Sequence, residues 1–303
     1  MKKVLVLYYS QSGQLKKVID SFITNLPDDD VKVEMRAIKP KEIYPYPWPF
    51  YRFAIEFPEA ALMDGCEIEE VKELSDDYDL IILGYTIWFL SPSSPIVAFM
   101  KSSQAQKIFK DKPVVTLIAC RDMWVMAQEK MKSLLENVGA RLIDNVALTD
   151  QGKGIYSFVT TPRWLLSGKK DAFWFFPPAG ILEREIDQSA RFGKRLNEAL
   201  KQNKEKELKP LLKNLGAVNV NGKLIASEMI ATRSSKIWAK FIKKFGSKNS
   251  FGRKVGITLY SVFLVILVFT IVPLNIMVRK VLNIFQKEKL KELEIRYEQP
   301  SGR

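Results

Sequence analysis

Apolar and polar positions divide the chain into short unbroken apolar runs and longer stretches with a helical repeat. Val4-Leu5-Val6-Leu7-Tyr8-Tyr9 is too short for a helix and rich in branched and aromatic side chains, so it predicts a strand buried on both faces. Leu80-Ile81-Ile82-Leu83-Gly84 and Pro113 to Ala119 read the same way. Val31, Val33, Met35 and Ala37 alternate with polar residues, as do the apolar positions from Arg141 to Leu148, and predict two further strands. Leu15, Val18, Ile19, Phe22 and Ile23 share one helical face. A helix from Val125 to Val138 ends at Gly139, a short helix and turn fills Val71 to Asp79, and Leu182 to Leu200 forms the last helix of the body.

Two stretches break this rhythm. Pro40 to Pro58 holds Tyr44, Pro45, Tyr46, Pro47, Trp48, Pro49, Phe50, Tyr51, Phe53 and Phe57, too many rings and prolines for a regular helix or an inner strand. It reads as an extended loop packed on the body, or as an aromatic wall over a flat or lipid-like substrate. Gly152 to Gly180 carries Tyr156, Phe158, Trp164 and Phe173 to Phe176 among four basic residues. A structural subdomain, a second pocket wall and a membrane-touching patch remain open for it.

Strands alternating with helices predict an α/β fold, a doubly wound parallel sheet with ligands at the carboxyl ends of its strands. Three loops lie there. Ser10-Gln11-Ser12-Gly13-Gln14, running into Leu15, joins a strand to a helix N-terminus, and Gly13 lets backbone come close: a phosphate cradle. Thr86-Ile87-Trp88-Phe89 follows the second buried strand, and Cys120-Arg121-Asp122-Met123-Trp124 follows the third. No GxGxxG or Walker A loop is present, which argues against Rossmann and P-loop nucleotide sites.

Composition removes other chemistries. The 303 residues include no histidine, so Ser-His-Asp and Cys-His catalysis and His-based metal sites are excluded. Cys66 and Cys120 lack a CxxC partner, which fits a reducing compartment. Met1-Lys2-Lys3 precedes an apolar run too short for a signal peptide, so the N-terminus is expected in the cytoplasm. The net charge of +13 is concentrated late: Arg233 to Arg303 carries 15 basic and 4 acidic residues, and the body is nearly neutral. Charge placed beside a hydrophobic segment, rather than along a folded groove, points away from nucleic acid.

That segment is Val255 to Val278, 24 residues without a charge, about 36 Å if helical, against a hydrocarbon core of about 30 Å. Before it, Ile237, Trp238, Phe241, Ile242 and Phe245 lie beside Lys236, Lys240, Lys243 and Lys244, as in a helix at an anionic lipid interface. The expected organisation is a body over 1–205 with insertions at about 40–65 and 150–180, then a linker over 206–232 with a hairpin at Asn221-Gly222. An interfacial segment over 233–254, a transmembrane or re-entrant segment over 255–278 and a charged tail over 279–303 follow. The basic flank places the body on the cytoplasmic side of a membrane, and Pro273 and Asn275 leave a re-entrant turn open.

The first loop resembles that of the flavodoxin and flavin-reductase group, roughly Ser/Thr-x-Ser/Thr-Gly-x-Thr, with Ser10, Ser12 and Gly13 matching and Leu15 in place of the last Thr. The second resembles that group's Gly-x-Pro turn, with Thr86 in place of Pro. The resemblance implies a flavodoxin-like fold and FMN as cofactor. Ser10, Gln11, Ser12, Gly13, Gln14 and Leu15 would surround the phosphate, and Thr86, Ile87, Trp88, Phe89, Cys120, Arg121 and Trp124 the ring. In length, aromatic insertions and basic tail the chain also looks like the bacterial dialkylresorcinol condensing enzymes of aryl-lipid pathways. The expected function is a membrane-anchored oxidoreductase acting on a lipophilic substrate, a quinone or a dialkyl cyclohexane-dione. A membrane-tethered electron carrier and a non-catalytic scaffold are the alternatives. Anionic lipids are the expected partner, and homodimerisation stays open.

Overall fold

Val4 to Leu7 lose all solvent contact, which a strand achieves only between two others with helices above and below. A computed structural model, describing residues 1–150, 156–267, 270 and 287–300, shows this arrangement. Strand β1 (Lys2–Tyr8) leads into α1 (Gln14–Ile23) and β2 (Val31–Ala37). Two short helices follow, α2 (Phe50–Ile55) and α3 (Phe57–Leu62), before β3 (Leu80–Tyr85). A small antiparallel pair, β4 (Ile87–Trp88) and β5 (Ser91–Pro92), then gives way to α4 (Ser94–Met100) and α5 (Ser103–Phe109). The body continues with β6 (Pro113–Cys120), α6 (Val125–Asn137), β7 (Arg141–Thr149), α7 (Ser157–Ser167), α8 (Glu183–Gln188) and α9 (Ala190–Lys201). The five long strands pair in parallel in the order β2-β1-β3-β6-β7.

Alternate residues of each strand feed two cores. Leu5, Leu7, Ile81 and Leu83 pack with α4, α5 and α6, and Val4, Val6, Ile82 and Leu117 pack with α1 and α9. On that second face the helices approach so closely that a Cβ on Gly193 would stand 1.8 Å from the Phe22 carbonyl oxygen.

The structure differs from the sequence expectations at several elements. The aromatic insertion is helical in part, because Pro49 caps α2 and Pro58 lies in the first turn of α3, where no backbone donor is needed. Val71 to Asp79 forms no helix; Val71 is held by Gln104 through both of its backbone groups. The helix expected over Leu182 to Leu200 is broken at Ser189, whose hydroxyl donates to the Val18 and Ile186 carbonyls. Asn221-Gly222 turns no hairpin. The Asn221 side chain accepts from the Lys223 N–H and caps a long helix, α10 (Gly222–Lys243).

α10 runs across the expected linker and interfacial segment, and α11 (Phe251–Ile266) follows it. Both dock on the aromatic insertion. Lys243 pairs with Asp64 at 2.8 Å, Lys248 with Glu56 at 2.6 Å, and buried Arg253 with Glu59. Tyr260 stacks on Phe57 at 4.1 Å. The acidic residues of the insertion thus neutralise part of the tail's charge, which sequence reading had assigned to lipid alone. The helix α12 (Lys287–Glu298) returns to α10, where Glu294 accepts the Gly222 N–H at 2.8 Å. Among the described residues no helix is long and apolar enough to cross a membrane. Most of the C-terminal half of the 255–278 segment lies outside the described residues.

Candidate functional site

β1, β3 and β6 are neighbours in the sheet, so the loops at their carboxyl ends share one edge. In the first, the Ser10 hydroxyl accepts from the Lys16 N–H at 3.2 Å and the Ser12 hydroxyl from the Gln14 N–H at 3.5 Å, so both cap α1. Gly13 holds φ at +80° and has open space where a Cβ would stand. The N–H groups of Ser12 and Gly13 donate to no group among the described residues. A helix N-terminus with free N–H groups is a geometry that could hold an anion. Leu15 does not line it: the side chain is turned into the core. Gln11 donates to the Pro45 carbonyl at 2.9 Å and Gln14 to the Ile181 carbonyl at 3.4 Å, so the cradle is braced by both insertions.

The second loop is wound more tightly than its sequence suggests. Phe89 and Leu90 occupy the β4–β5 turn at φ +48° and +59°, a left-handed conformation unusual for bulky residues. Phe89 is held there by stacking on Phe53 at 4.6 Å and by the edge of Phe57 at 5.3 Å. Ile87 is half-buried beside it. Trp88 departs from the expected role as a free stacking surface. Its ring is 8% exposed and meets Tyr9, Tyr44 and Trp48 edge-on, at 5.8, 4.9 and 5.5 Å. The density of rings in the insertion supplied that cluster, and apolar burial holds it. The Thr86 hydroxyl is buried without a hydrogen-bond partner among the described residues, as are those of Ser93 and Ser94.

In the third loop Arg121 donates to Ser157 at 2.8 Å and lies over the Phe158 ring at 4.4 Å. It therefore ties the loop to α7. Trp124 is buried in the core cluster rather than set at an edge. Burial pushes the Cys120 thiol well above its usual range, which leaves it a thiol at neutral pH and a poor nucleophile.

Two charged residues that sequence reading missed hydrogen-bond to the second loop and to the helix after the third. Lys130 of α6 donates to the Leu90 carbonyl at 2.8 Å and the Ser91 hydroxyl at 2.6 Å, pinning the β4–β5 turn. Burial, with Lys236 nearby, lowers its pKa to about 8. Glu228 of α10 is 1% exposed and accepts the Met126 N–H at 2.7 Å, at the start of α6. Burial and the nearby Asp122 carboxylate raise its pKa to about 7. Asp122 itself is pushed up by burial. No local signal marks either residue, since their partners lie 40 and 102 positions away.

The sheet order is the flavodoxin-like one. No family model and no curated protein matches the chain. Among solved structures, the chain is similar to a flavoprotein in complex with FMN from Lactobacillus acidophilus, with 21% identity over 48% of this chain and 92% of that one and a TM-score of 0.40. It is also similar to oxidised flavodoxin 1 from Bacillus cereus, 14% identical over 63% of this chain and 95% of that one, TM-score 0.35. A Fusobacterium nucleatum flavodoxin bound to flavin mononucleotide is 10% identical over 67% and 98%, TM-score 0.32.

The residues fit FMN at its phosphate end. Gly13 leaves the approach open, the Ser12 and Gly13 N–H groups have no acceptor among the described residues, and no carboxylate lies on the loop itself. The Thr86 hydroxyl on the neighbouring loop adds a donor that has no partner among the described residues.

Proposed function

We propose that this chain is an FMN-binding redox protein, held at a membrane by its C-terminal region and acting on a lipophilic substrate. The observation that carries the reading is the open Gly13 cradle at the carboxyl end of β1 in a flavodoxin-like sheet. Ser10 to Gln14 would hold the phosphate, and the half-buried Thr86, Ile87, Phe89, Cys120 and Arg121 would border the ring, with Trp88 and Trp124 packed behind them. When bound, the flavin supplies hydride or electron-pair chemistry, so the absence of an acid-base pair of the histidine type does not count against an enzyme.

The chain's own residues do the rest. Lys130 and Arg121 fix the loops, and the Tyr44, Trp48 and Trp88 cluster keeps water from that side. A near-neutral body rich in rings suits a small apolar substrate better than a charged protein partner. Within that class we favour a quinone or a dialkyl cyclohexane-dione, whose conversion to a resorcinol releases two electrons for a flavin to accept. The test is the absorption spectrum of the protein purified in mild detergent, with the flavin identified after denaturation. FMN near one per chain supports the reading. A colourless protein that binds no added FMN overturns it.

A further inference from the structure

The C-terminal helices each carry two apolar faces. On α10, Ile225, Ala239 and Ile242 are buried, while Ile230, Ile237 and Phe241, with Phe245 just beyond the helix, form an exposed stripe on the opposite side. On α11, Arg253, Gly256, Ile257 and Tyr260 are buried, and Phe251, Val255, Leu259, Val262 and Ile266 are exposed on the other side. A helix packed on a soluble body needs one apolar stripe. A second stripe facing away needs a second apolar phase.

Phe50 and Tyr51 of α2 extend the outer face of α11 and, with Val262, Val265 and Ile266, line an apolar groove of about 330 Å³. Cations edge the face. Lys243, Lys248 and Arg253 are paired with carboxylates of the insertion, but Lys236, Lys240, Lys244 and Lys254 are exposed and have no carboxylate partner among the described residues. Lys254 lies 5.8 Å from the Tyr51 ring centroid. Basic residues edging an apolar face are complementary to anionic headgroups over acyl chains.

The connection on either side of the hydrophobic stretch sets the topology. α11 is fastened to the insertion by the Arg253–Glu59 pair and the Tyr260–Phe57 stack. α12 is fastened to α10 by Glu294, and Leu293 and Tyr297 pack on the body's core. A stretch that leaves the folded body and comes back to it starts and finishes on the same side of a bilayer.

We propose that the outer faces of α10 and α11 and the α2–α11 groove dock in the plane of an anionic bilayer, with the body and the tail on one side. This rests on the membrane placement proposed above and is independent of the flavin. The test adds the full chain to preformed vesicles of phosphatidylcholine with or without phosphatidylglycerol and follows flotation. We expect flotation with the anionic vesicles, at least tenfold less with the neutral ones or in about 0.5 M salt, release by alkaline carbonate, and a C-terminal epitope open to added trypsin. L259N/V262N and K240E/K244E change exposed positions, and each is expected to float at least tenfold less with unchanged circular dichroism and melting midpoint.

A carbonate-resistant chain with a protected epitope would mean a spanning helix and overturn the proposal. So would variants that float like the parent. Absence of flotation together with a dimer that L259N/V262N dissociates would make a second copy the occupant. Flavin absorbance of the floated fraction is scored separately: a colourless chain that floats refutes the flavin reading and leaves the docking face standing.

Discussion

Gly13 and Gly193 are required for different reasons, and substitution should separate them. Alanine at Gly13 meets no atom within 4 Å but must adopt φ +80°, so Gly13→Ala should cost about 1 kcal/mol in urea unfolding. Alanine at Gly193 collides with the Phe22 backbone, and α1 and α9 must separate; Gly193→Ala should cost about 3 kcal/mol or more. Glu228 gives a pH signature. Its folded pKa, about 7, lies above the usual carboxylate value because burial disfavours its charge. Its contribution to stability is therefore complete below the unfolded pKa and is lost as pH rises through about 7. Relative to Glu228→Gln, which keeps an acceptor for the Met126 N–H, the parent should lose up to about 3 kcal/mol between pH 4.5 and 7.5, read from denaturant midpoints. A parallel pH dependence in both proteins would refute this account of the carboxyl. Gly13 stood out in the sequence as part of the loop before α1, whereas Gly193 and Glu228 did not, because their roles come from a helix crossing and a distant partner.

At the level of elements, the aromatic insertion and the C-terminal helices support each other. Arg253 and Glu59 are both largely buried, so Arg253→Met leaves a carboxylate without its partner and should cost about 3 kcal/mol, loosening α11. Limited trypsin digestion should then cut within 236–254 well before the body, and adding Glu59→Gln should slow that cleavage. Trp48→Ala removes the ring that Tyr44, Phe53 and Trp88 all touch and should cost about 4 kcal/mol in the melting of the whole body. The long strands were legible because double-sided burial leaves an unbroken apolar run, as in Leu80 to Leu83. α1 was legible from its apolar spacing. The helices of the insertion were not, since the prolines that suggest a break sit where a helix begins. Asn221-Gly222 serves a hairpin or a helix cap equally well, and the docking of α10 on α3 favours the helix.

For the molecule as a whole, the proposed flavin binding and the proposed membrane docking are separable, and the sequence and the fold contribute to them differently. The sequence by itself determined the parallel α/β body, the Ser10 to Gln14 loop between β1 and α1, the exclusion of histidine chemistry and the concentration of basic charge near a hydrophobic stretch. These follow from local pattern, because burial, backbone freedom and charge are properties of each residue and its near neighbours. Tertiary structure decided that Trp88 and Trp124 are buried, that Lys130 and Glu228 hydrogen-bond to the second loop and to the helix after the third, and that α12 returns to the body after the hydrophobic stretch. Each of those outcomes depends on contacts between segments far apart in the chain, whose pairing becomes defined only when the elements pack.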